Sequence, residues 1–188
     1  TRAQQATAST REILAAREAV LSPGSLSRDD ILSRLDDVER RAREGTISTA
    51  QSRQLSRLWM EALDEAGWEW RLPDGSIPDW DRITPDESAR LTLTRVARPQ
   101  MADLISALRP LARRYPTIPR LIDHLQNARW SSARKDLDAF ASTRAGDTLI
   151  DTLPFDVDGL KAELSRLTRR DRVLSRTSNV SPRTLEKM

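Results

Sequence analysis

The chain has no cysteine, and its single histidine is His124. Without thiols there is no disulfide framework, no thiolate nucleophile and no cysteine-held zinc. One histidine is too few for the His-rich or His/Cys sites that hold most protein-bound zinc. Glycine is scarce as well, with six in 188 residues, and no phosphate loop of the P-loop or dinucleotide kind is present. No serine sits in a nucleophile-elbow setting. No apolar run approaches the ~20 residues that span a bilayer, and no signal-peptide core is visible. These absences point to a non-enzymatic chain with no cofactor, no metal and no membrane partner. They fit a reducing cytoplasm, which is the expected location.

Helices account for most of what is present. The chain is 31% charged and 38% hydrophobic, and the apolar residues recur at helical spacing. Ile13, Leu14, Val20 and Leu21 give a first helix over about 9–21, ended by Ser22-Pro23-Gly24. Ser27 reads as an N-cap, with Asp29 and Asp30 in the first turn of a helix that runs to Gly45. Ser48 to Gln51 reads as a capping box. After it Leu55, Leu58, Trp59, Ala62 and Leu63 form the best apolar stripe in the chain. Helices two and three should pair as an antiparallel hairpin.

Farther on the pattern changes. Trp68 to Leu72 alternates and Pro73-Asp74-Gly75-Ser76 is turn chemistry, so a short β-hairpin is expected near 68–80. Thr84-Pro85-Asp86-Glu87 opens a helix expected to reach about Arg98. Further helices are expected over 100–114, with a kink or a break at Pro110, then over 117–125 and 131–140, with a last one carrying Leu160, Leu164, Leu167 and Leu174. The fold class is therefore mainly α and multi-helical, and the stretch 148–155 is read as extended.

Charge divides the chain unevenly. Residues 1–89 hold 12 Arg against 17 Asp and Glu, whereas residues 90–135 hold ten Arg and Lys against Asp103 and Asp123 alone. The expected division is an acidic, Trp-rich helical unit over 1–85 and a basic helical unit over 86–188. In the basic half, helix, short helix, turn, second helix and extended run follow the order of a winged helix-turn-helix, whose second helix enters the DNA major groove. On that pattern the nucleic-acid-binding candidates are Arg109, Arg113, Arg114, Arg120, Arg129, Ser131, Ser132, Arg134 and Lys135. Ser131 and Ser132 fall at a helix start, where backbone N–H groups favour phosphate. Asp136 and Asp138 on the same helix would repel it. The partner implied is double-stranded DNA.

A second reading makes the chain a helical protein-protein interaction or assembly module. Its basic face would then meet an acidic protein, or the chain's own acidic half. Five of the eight aromatic residues are Trp, and Trp68, Trp70 and Trp80 are the partner-binding candidates on this reading. Local packing against the third helix is the favoured explanation of them, with a protein interface second. Asp74, Asp79, Asp81, Asp86 and Glu87 are the nearest approach to a metal site, and turn and helix-cap roles account for most of them. The arginines after Glu163 read as a solvated helix end. Nothing in the residues fixes an oligomeric state.

Overall fold

Three hydroxyl caps decide where helices begin in the first half. Ser27, Ser48 and Thr84 each accept a hydrogen bond from the backbone N–H three residues on. The side chains of Asp30, Gln51 and Glu87 in turn accept from the cap backbone, so all three are closed capping boxes. The Ser27 hydroxyl, and after it the Ser27 N–H, hold the Asp30 carboxyl below the usual aspartate range.

The computed structural model describes residues 2–79, 81–143, 146 and 156–177, with side chains from Ser9 onward. Within these residues the chain is mainly helical, and no described helix is long and apolar enough to cross a membrane. It divides into two compact units. One is the described part of Thr1–Ala97 and Val173–Met188; the other is Arg98–Arg172.

The first unit contains α1 (Arg2–Leu21), α2 (Arg28–Arg43), α3 (Thr49–Glu65), β1 (Trp68–Arg71), α4 (Pro85–Ala89) and β2 (Thr92–Arg95). Helix α1 starts well before the expected position, because residues 2–8 are good helix formers with no breaker among them. Its core strip is Ile13, Ala16, Ala19 and Val20, packed with Ile31 and Val38 of α2 and Leu55, Leu58, Trp59, Ala62 and Leu63 of α3. Arg41 of α2 reaches Glu12 of α1 with bonds of 2.6 and 2.7 Å. That carboxylate raises the Arg41 pKa, so the guanidinium stays charged.

The expected hairpin over 68–80 does not form. Strand β1 is present, but its antiparallel partner is β2, with Trp68 opposite Arg95 and Trp70 opposite Leu93. The turn chemistry is used nonetheless: Leu72 N–H donates to the Ser76 carbonyl, and Asp74 accepts from the Ser76 backbone. Pro78 then has no N–H to give a ladder, whereas Thr92 to Arg95 offer a full set. The helix expected to run to about Arg98 stops at Ala89, and residues 92–95 enter the ladder instead. Leu91 and Leu93 alternate with threonines, and Leu93 packs onto the first core. Gly67 joins α3 to β1 at φ +88°, and a Cβ there would meet the Val96 carbonyl at 3.2 Å, so this position requires glycine.

The second unit contains α5 (Met101–Leu108), a 3-10 turn (Arg109–Leu111), α6 (Thr117–Gln126), α7 (Trp130–Ala141) and the first four turns of α8 (Val157–Arg176). Pro110 lacks an N–H and ends α5 instead of bending it. The core joins Leu104 and Leu108 to Ile118, Leu121 and Leu125 of α6. Ala133, Leu137 and Phe140 of α7 and Val157, Leu160 and Leu164 of α8 complete it. Tyr115 meets Phe140 edge to face at 5.6 Å, which fixes the Arg113-Arg114 turn near the C-terminal end of α7. The extended run expected over 148–155, read as the wing, lies outside the described residues.

Candidate nucleic-acid interface

The interface candidates sit on α5 to α7, and local backbone geometry sets their relation. Helix α6 ends in a Schellman-type closure: Arg129 N–H donates to the His124 carbonyl at 2.8 Å and Ala128 N–H to the Leu125 carbonyl. Ala128 occupies the left-handed position at φ +54°. A non-glycine residue there costs about 1–2 kcal/mol. Ala128→Gly is therefore expected to raise stability by up to about 1 kcal/mol, read as a higher urea midpoint.

Helix α7 turns three strips outward from its axis. Ala133, Asp136, Leu137 and Phe140 are buried in the core. Trp130, Arg134 and Asp138 form a flank tied to α8 (Trp130 Nε1 donates to Asp171 Oδ2 at 2.9 Å, Arg134 donates to the Ser165 hydroxyl, and Asp138 pairs with Lys161 at 2.9 Å). Positions 130, 134 and 138 thus run antiparallel to 171, 165 and 161. The third strip, with Ser131, Lys135 and Ala139, is exposed.

Asp136 does not face solvent. Its side chain is 8% exposed, and both oxygens are used: Oδ2 accepts from His124 Nδ1 at 2.6 Å, and Oδ1 accepts from Arg120 Nη2 at 2.8 Å. The link joins α6 to α7 across the turn. The sequence reading places Asp136 where it would repel phosphate, whereas the fold turns it inward to His124 and Arg120. A signal was present in Asp136, the polar member of the strip that carries Ala133, Leu137 and Phe140.

The nine predicted residues fall into three groups. Arg120, Arg129 and Arg134 are engaged within the unit, with Asp136, with Asp123 at 3.8 Å, and with Ser165. Arg109, Arg113, Arg114 and Lys135 are exposed and meet no carboxylate among the described residues. Ser131 is exposed and Ser132 half-buried at the start of α7, where no side chain caps the helix. They border an open depression of about 250 Å³ whose wall includes Arg129, Trp130 and Asp171. The Asp171 carboxylate sets a negative charge beside the positive helix end.

Elsewhere the expectations also separate. Trp68 is half-buried against the first core, with Arg28 and Arg95 lying 5.0 and 5.8 Å from its ring. Trp70 is half-buried on β1, and Trp80 lies outside the described residues. Three of the five acidic residues near 74–87 are used locally: Asp74 on Ser76, Asp79 on the Asp81 N–H, Glu87 on Thr84. Among the described residues no three His, Asp or Glu side chains converge. The solvated helix end expected after Glu163 needs one correction. Arg166 is buried and donates twice to Glu163, at 2.8 and 2.6 Å, because it lies on the inner face of α8.

No family model, no curated protein and no solved structure matches this chain.

Proposed function

We propose that this chain is a non-enzymatic, DNA-associated accessory domain of the cytoplasm that holds duplex phosphates with exposed cations of its second unit. One observation carries the reading. The acidic residues that would oppose phosphate on α7 are engaged inside the unit, Asp136 by an ion pair with Arg120 and a hydrogen bond with His124, and Asp138 by Lys161. Arg109, Arg113, Arg114 and Lys135 are left exposed without such partners among the described residues. Helix α6, the turn at Asn127–Arg129 and α7 follow helix-turn-helix order, and a wing would fall near 148–155.

The test is fluorescence anisotropy with labelled duplex DNA across about 50–200 mM salt. Each neutralised phosphate contributes about −0.9 to the slope of log K against log salt. Four contacts give a slope near −3.6, so affinity should fall roughly 100-fold over that range. No binding at the lowest salt, with capture of an acidic protein instead, would replace this reading by the interaction module.

A further inference from the structure

We infer that the second unit binds duplex DNA without reading its sequence, through phosphate alone; the inference rests on the DNA reading above and concerns what α7 can do there. In helix-turn-helix order α7 occupies the recognition position, and base reading requires two things of such a helix. It must enter the major groove, and it must present side chains able to pair with base edges. Helix α7 is hindered in the first along one flank and poorly supplied for the second.

Entry is the first difficulty. The major groove is about 12 Å wide and an α-helix with its side chains is about 10–12 Å across. One helix fits; two packed side by side, with axes about 8–10 Å apart, do not. The Trp130, Arg134 and Asp138 flank is bound along its length to Asp171, Ser165 and Lys161. Driving α7 into a groove by that flank would carry α8 with it.

Side-chain content is the second. The strongest discrimination between bases comes from bidentate pairs, Arg or Lys on guanine and Asn or Gln on adenine, whereas single contacts from Ser or Ala discriminate less. The exposed strip of α7 offers Ser131, Lys135, Ala139 and, just beyond the helix, Ser142. It contains no Arg, Asn or Gln. The one arginine of the helix is Arg134, which donates to Ser165. Lys135 is a point charge that suits a phosphate oxygen.

The three free arginines are placed no better for reading. Arg109, Arg113 and Arg114 lie on the 3-10 turn and the loop after it, and the Tyr115–Phe140 contact sets that loop at the far end of α7 from Ser131. Phosphate contacts fix position on a duplex but carry no sequence information. A unit with only such contacts has affinity and no preference.

The experiment uses the full chain and three labelled duplexes of equal length, alternating dA·dT, alternating dG·dC and mixed sequence, each titrated at several salt concentrations. The expected result is a shared steep salt slope, with affinities agreeing within about threefold. Arg134→Ala should leave both slope and ratios unchanged, whereas Lys135→Ala should reduce the slope by about 0.9 on all three duplexes. A preference of tenfold or more for one duplex, the size of a single well-read base pair, would overturn the inference while leaving the DNA reading intact. Absence of binding to every duplex would overturn both.

Discussion

Replacing Arg109, Arg113, Arg114 and Lys135 together by alanine should weaken duplex binding at 50 mM salt by at least roughly 100-fold and flatten the salt slope toward zero. The lower bound follows from the same electrostatics as the wild-type titration. A fourfold rise in salt only reduces the counterion-release term, whereas deleting the cations removes it. Folding should be untouched, because all four side chains are exposed and hold no ion pair among the described residues. Far-UV circular dichroism and the urea midpoint should therefore match the parent chain. A matched variant with Arg120, Arg129 and Arg134 changed to alanine provides the contrast. Those three are engaged internally, so their loss should move the salt slope much less. Equal effects of the two variants on the slope would contradict the division of labour described for this surface.

The second large effect concerns stability. Asp136→Ala should destabilise the second unit by about 3 kcal/mol, measured by urea unfolding. Losing a buried carboxylate leaves its partners without their acceptor, and such changes cost about 3–5 kcal/mol. The lower end applies here because Arg120 is 60% exposed and can turn to water, whereas His124 cannot do so as easily. Asp136→Asn keeps an oxygen for one partner and should lose less. Asp138→Ala, on the same helix but paired with Lys161 at the surface, should cost no more than about 1 kcal/mol. A small effect of Asp136→Ala would mean that α6 and α7 are held by their apolar contacts alone.

These two residues also show what the amino-acid order discloses. At 100° per residue Asp136 falls with Ala133, Leu137 and Phe140, so its inward orientation was legible from the helix alone. Its partner was not, since nothing in linear order brings position 124 to 136 until the Asn127–Arg129 turn reverses the chain. The helix starts at Ser27, Ser48 and Thr84 were legible because a capping box is local, needing only residues three apart. The partner of Trp68–Arg71 was hidden for the opposite reason. A convincing turn follows directly at 72–76, and only long-range packing of Leu93 on the first core decides that 92–95 is chosen instead. The nine candidate cations and serines were found from the basic stretch and the order of helices. Which of them remain open depended on Asp123, Asp136 and Ser165, and that required coordinates.

The β1–β2 pairing carries a consequence for the order in which the first unit assembles. Helices α2 and α3 meet across a short connection, so their contacts form at small entropic cost. The two strands meet only after residues 72–91 have been closed into a loop, and closure must be completed before the ladder returns any stabilisation. The sheet is thus a late event laid onto a helical scaffold already in place. Loop-closure entropy grows slowly, by about 0.6 kcal/mol for each doubling of length. Evolution can therefore lengthen the exposed tip around Gly75 and Ser76 with little effect on whether the strands find each other, making that tip the natural place for this fold to acquire new sequence.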